Sequence, residues 1–167
     1  DYKLGDLTLE DLKQILTGEP SETYPVTLGS SENDNVLFFW SGHGTQQGWK
    51  WKEEDLNADL ARAMFSDMQF RKMFALVETC YSGVVAQDCT GIPGLLMMTA
   101  ANPYETSKAD AFDNELQVYL SNTFTSSILS WFEGNPDTVI RDLYLHAFDK
   151  TNGSHVMVYN SDYYGNL

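Results

Sequence analysis

Two apolar runs in this sequence end in residues that can act together on a carbonyl. Val36-Leu37-Phe38-Phe39-Trp40 leads into Ser41-Gly42-His43-Gly44, and Phe74-Ala75-Leu76-Val77 leads into Glu78-Thr79-Cys80-Tyr81-Ser82-Gly83. Cysteine attacks as its thiolate, a nearby imidazole raises the thiolate fraction, and the same imidazole can protonate a leaving amine. If the two runs are parallel neighbouring strands, their carboxyl ends lie about 5 Å apart on one sheet edge. His43 and Cys80 then face one cleft, where ligands of such sheets bind. The amides of Gly44 and Cys80 are candidate donors to a tetrahedral oxyanion, and the glycines beside His43 admit close approach of a substrate. The chemistry of the pair is acyl transfer.

Each residue also has an ordinary reading, Cys80 as a buried small hydrophobe and His43 as a turn residue, and it is their joint placement that favours catalysis. Cys89 reads as structural or surface, His146 as a helix residue and His155 as the start of a strand. Gly42, Gly44 and Gly48 superficially match a dinucleotide fingerprint. Their spacing is one residue too long, and the alternating Trp49-Lys50-Trp51-Lys52 reads as extended chain, so no helix N-terminus is offered to a pyrophosphate.

The elements that position these residues follow from periodicity. Thr8 and Asp11 resemble a capping box opening a helix that Gly18 stops, with Leu9, Leu12, Ile15 and Leu16 on its apolar face. Residues 19–35 read as loop. Val36–Trp40 is unalternated and rich in β-formers, which predicts a strand covered on both faces. Asn57 caps a helix through Leu60, Ala61, Met64, Phe65 and Met68, and strands follow at Phe74–Val77 and Leu95–Ala100. Phe124, Ile128, Leu129 and Phe132 mark a helix, Asp137 caps another through Ile140, Leu143, Tyr144, Ala147 and Phe148, and His155–Tyr159 closes as a strand. This alternation predicts an α/β fold, a mostly parallel sheet with helices on both faces.

Composition narrows the classes. The 167 residues carry 10 basic and 24 acidic side chains, a formal charge of −14, which argues against nucleic acid as a partner. With 43% apolar residues the chain can bury a core as one domain. No apolar run approaches the roughly 20 residues of a bilayer span, so no membrane partner is expected. Two cysteines make no disulfide framework, no zinc-type spacing is present, and the chemistry requires neither metal nor cofactor, although the many carboxylates could hold calcium weakly.

With the His43-Gly44 and Glu78-x-Cys80-x-Ser82-Gly83 strand ends, Ala100-Ala101-Asn102-Pro103 after the third strand, Phe70-Arg71-Lys72-Met73 before the second and Ser154-His155-Val156-Met157 near the end, the sequence resembles the legumain family of cysteine peptidases. The resemblance implies a caspase-like sheet and endopeptidase activity after asparagine or aspartate, with His43 as catalytic histidine, Cys80 as nucleophile and Gly44 as oxyanion donor. It places Glu78 in the floor of the specificity pocket and Ser107, or else Thr106, in its wall. Glu78 could equally hold a neighbouring loop or basic side chain.

Two departures stand out. Gly42 replaces the aspartate that commonly precedes the histidine, and Asn122, in Tyr119-Leu120-Ser121-Asn122, stands where the family has a pocket aspartate. A neutral amide both donates and accepts, so weaker discrimination of asparagine from aspartate is expected. The family's sheet begins with strands that precede the first helix seen here and that carry the histidine-orienting asparagine and basic pocket residues. Residues 1–167 are therefore expected to be one peptidase domain, the C-terminal chain or fragment of a processed precursor whose N-terminal chain stays associated. The family also implies a secreted or extracytoplasmic setting. The alternatives are a transpeptidase or transamidase that passes the same acyl-enzyme to an amine, and an inactive caspase-like interaction module.

Overall fold

The computed structural model describes residues 2–165. Helix α1 (Leu9–Thr17) opens with the expected box: the Asp11 amide donates to the Thr8 hydroxyl (3.2 Å) and the Thr8 amide to the Asp11 carboxylate (2.7 Å). After the loop come β1 (Asn35–Ser41), a small antiparallel sheet of β2 (Gly44–Thr45), β3 (Gly48–Trp51) and β4 (Glu54–Leu56), and α2 (Ala58–Asp67), capped by Asn57 Oδ1 on the Leu60 amide at 3.0 Å. Then follow β5 (Lys72–Glu78), the short α3 (Gly83–Ala86), β6 (Leu95–Thr99) and a hairpin of β7 (Ala109–Asp113) and β8 (Val118–Asn122). Helices α4 (Thr123–Gly134) and α5 (Ile140–Lys150), strand β9 (Met157–Tyr159) and α6 (Ser161–Tyr164) complete the described chain.

The main sheet has the order β1-β5-β6-β9, with β1, β5 and β6 parallel and β9 antiparallel. Alternation along β5 and β6 divides the core. Met73, Ala75, Val77, Leu95 and Met97 pack with Leu9 of α1, Ala61, Met64 and Phe65 of α2, and Val85 of α3. Leu76 and Met98 pack on the other face against Phe124 and Ile128 of α4 and Leu143 and Ala147 of α5. Helices thus cover both faces, as a caspase-like α/β fold requires.

Several expectations need correction. Strand β1 is not covered on both faces: Val36, Phe38 and Trp40 face the α1/α2 core, whereas Leu37 and Phe39 are 68% and 52% exposed. Leu37 pairs with Phe74 and Phe39 with Leu76, so all four point to the α4/α5 face, but the two helices do not reach across to β1. Its outer edge has no partner strand among the described residues. Asp137 does not cap α5, which starts at Ile140 behind Val139. Leu129, Phe132 and Phe148 are exposed; their helices meet the core through Phe124, Ile128, Leu143 and Ala147. His155 precedes β9 and is not in it. No described helix is long and apolar enough to cross a membrane.

Candidate active site

Parallel pairing of Ser41 with Glu78 sets the loop after β1 beside the turn after β5. The Gly42 amide donates to the Glu78 carbonyl at 3.1 Å, which carries the ladder one residue past the strand ends. Two residues on, the backbones meet so closely that a Cβ on Gly44 would overlap the Cys80 carbonyl oxygen and come within 2.9 Å of the Thr79 side chain. Glycine at position 44 is thus a packing requirement, and it brings the His43 peptide against the Cys80 peptide. His43 is exposed, and among the described residues its ring makes no hydrogen bond.

Two amides at this contact are uncommitted. Lys50 donates to the His43 carbonyl (2.9 Å), making residues 43 and 50 a hydrogen-bonded pair; Gly44 and Trp49 are the next pair, so the Gly44 N–H turns away from β3 by the alternation of antiparallel ladders. The Cys80 N–H has no acceptor among the described residues. The next amide is spent, since Tyr81 N–H donates to the Glu105 carbonyl at 2.8 Å. Tyr81 has φ +53°, a left-handed conformation that turns the chain directly after Cys80, two residues beyond the end of β5.

The Cys80 Sγ lies 3.9 Å from the Ser107 hydroxyl and 4.0 Å from its carbonyl oxygen. Thr106 is engaged elsewhere, accepting from Lys108 Nζ at 2.8 Å. Ser107, not Thr106, therefore stands beside the thiol. Cys89 is fully buried, and desolvation pushes its thiol up to about 12, so it is inert as a nucleophile.

Glu78 is 1% exposed. Its Oε2 accepts from the Thr125 amide (2.9 Å) and hydroxyl (3.0 Å) in the first turn of α4. The carboxylate thus does the capping that Asn122, the residue before α4, does not: the Asn122 side chain makes no capping bond and stays half-buried at the end of β8. Glu78 Oε1 has no partner among the described residues. Burial pushes this carboxyl above its ordinary range, against the lowering effect of Thr125 and the Ser107 hydroxyl. One oxygen of Glu78 thus fixes a neighbouring helix, and the other has no donor. The hairpin β7–β8 joins Ser107 to Asn122, and the sequence missed it because the alternation of Ala109-Asp110-Ala111 breaks at Ala111, with φ +54°, and residues 109–112 are all exposed.

Residues 1–166 match the family model described as the Peptidase C13 family. The chain belongs to this family. It is 27% identical to human legumain over 96% of its own length and 40% of that protein, and 29% identical to rat legumain over 96% and 39%. It is also 27% identical to the GPI-anchor transamidase of Saccharomyces cerevisiae, over 95% of its own length and 41% of that protein. The chain spans about 40% of the length of these curated relatives. The relatives that this chain matches thus include both legumains and a GPI-anchor transamidase.

Proposed function

We propose that this C13-family chain carries the catalytic half of a cysteine endopeptidase that cleaves after asparagine or aspartate. The observation that supports it best is the pair of uncommitted amides, Gly44 and Cys80, on either side of the contact between the Gly44 backbone and the Cys80 carbonyl. The Cys80 thiol gives its proton to His43 as sulfur bonds to the substrate carbonyl carbon. The oxyanion lies between the N–H groups of Gly44 and Cys80. On collapse the C–N bond breaks, the amine leaves with the proton from His43, and a thioester remains for water to resolve.

Specificity rests on Glu78, Ser107 and Asn122. Glu78 Oε1 is an acceptor without a donor, and a substrate carboxamide brings an N–H₂ group to it while its oxygen accepts from Asn122 or Ser107. The likeness to a transamidase favours a second reading, in which an amine resolves the thioester. The open β1 edge, with Leu37 and Phe39 uncovered, and the unsupported His43 ring favour an N-terminal chain of the same precursor as partner, and the likeness to legumain favours a secreted or extracytoplasmic setting.

Fluorogenic peptides ending in asparagine, aspartate, arginine or alanine, assayed with any co-purifying chain, test the reading. Cleavage after asparagine and aspartate that vanishes in Cys80→Ala is expected. Cleavage mainly after arginine overturns the specificity, and a product that carries added glycinamide in place of a new carboxylate assigns the transamidase.

A further inference from the structure

The turn that presents Cys80 is not held by its own conformation. Tyr81 sits at φ +53°, which disfavours a residue with a Cβ, so neighbouring structure must fix it. That structure is the loop after β6. Ala101 takes hydrogen bonds through its carbonyl from the Ser82 hydroxyl (3.0 Å) and the Gly83 amide (3.2 Å), its own amide donates to Ser82 Oγ (2.9 Å), and the Glu105 carbonyl accepts from Tyr81.

What holds the loop is the Glu105 side chain. Oε1 accepts from the amides of Asn102 (3.0 Å) and His155 (2.8 Å), and Oε2 lies 2.8 Å from His155 Nδ1. Ser154, adjacent to His155, ties the same segment to the Ala100 carbonyl at 2.7 Å. Burial works against ionising Glu105, yet the Asn102 amide and the two His155 donors outweigh it and hold the carboxyl below its ordinary range. The loop ends at Ser107 against the thiol.

We infer that Glu105 is a positioning residue for the nucleophile and His155 its clip: the pair holds the loop that fixes the Tyr81 peptide and keeps Ser107 against Cys80. The same tie removes the Tyr81 N–H from the oxyanion site and leaves the Cys80 N–H as the donor there. The inference rests on Cys80 being the nucleophile, but its geometry is tested without turnover.

In the full-length protein, the alkylation of Cys80 by iodoacetamide is followed by mass spectrometry on its peptide, with buried Cys89 as an internal monitor of unfolding. In Glu105→Ala and in His155→Leu, Cys80 is expected to alkylate at least threefold faster, since the loop no longer shields it, while peptide turnover falls at least tenfold and Cys89 stays unreactive. His155→Asn, whose Nδ2 replaces Nδ1, is expected to restore both rates to within twofold. An unchanged Cys80 rate in both variants overturns the inference, and so does equal labelling of Cys89. Faster Cys80 labelling in a protein that cleaves no peptide before substitution keeps the inference and rejects the proposed activity.

Discussion

A single missing methyl group and a single unpaired oxygen shape the candidate site. Gly44→Ala forces the His43 loop off the Cys80 carbonyl, because backbone is the neighbour and cannot rotate away. A loss of at least about 100-fold in turnover is expected from the displaced oxyanion donor, together with about 1–3 kcal/mol of stability from overpacking. Parallel measurement of kcat and Tm checks both. Glu78 carries the opposite balance. Its folded carboxyl titrates above its ordinary value of 4.5, because burial outweighs Thr125 and Ser107. Protonation therefore favours the fold: the chain is most stable below pH 4.5 with respect to this group and loses that stability as pH rises through the raised value. Glu78→Gln is expected to raise Tm near neutral pH and flatten its pH dependence, while cutting cleavage after asparagine at least about tenfold. A Tm that is lower in Glu78→Gln at every pH rejects the argument. The neutral Asn122 amide both donates and accepts, so the asparagine-to-aspartate ratio is expected to stay below about 100 near neutrality, a discrimination of nearly 3 kcal/mol, and protonation of Glu78 lowers it further in acid. A peptide panel read across pH 4 to 7 measures it.

At the scale of elements, the sequence was legible wherever local chemistry decides structure. The Thr8 box, the Asn57 cap and the runs that form β5 and β6 are local signals, and the structure has them as read. It was not legible where a partner element decides. Strand β1 reads as buried on both faces from Leu37 and Phe39, yet only α4 and α5 could cover them and these stop over β5 and β6. Asp137 has a capping side chain, but Pro136 precedes it and the helix starts three residues later. For the site, His43, Cys80 and Gly44 were visible as strand ends, whereas the Glu105 to His155 tie spans 50 residues and carries no sequence period. Asn160 shows the same limit. Its side chain takes the Gly91 amide and donates to the carbonyls of Ile92 and Leu95, all at 2.7 Å, and its φ of +72° lies in the left-handed region. It locks the start of β6 to the end of β9. Asn160→Ala removes three hydrogen bonds, two of them buried, and is expected to cost about 2–3 kcal/mol, a Tm fall on the order of 8 °C, as thermal unfolding would record.

For the molecule as a whole, several unmet needs converge on one side of the sheet. The outer edge of β1 lacks a strand, Leu37 and Phe39 lack a cover, and the His43 ring at the end of the same strand lacks an orienting partner among the described residues. An open edge beside exposed apolar side chains is a template for strand addition, either by the proper segment or by another copy. The proposed occupant is the N-terminal chain of the same precursor, entering as a strand along β1 with apolar side chains over Leu37 and Phe39. The net charge of −14 works against indiscriminate self-pairing and is compatible with a basic segment there. Residues 1–167 alone are therefore expected to bind an apolar dye and to associate in a concentration-dependent way, while addition of the N-terminal chain yields a one-to-one complex with a higher Tm and recovered turnover. Phe39→Lys is expected to weaken that complex at least about tenfold and to leave the fold intact, because this side chain points away from the α1/α2 core. Light scattering with and without the N-terminal chain decides the matter: a monodisperse monomer that binds no dye and turns over substrate unaided would show that β1 is a finished edge.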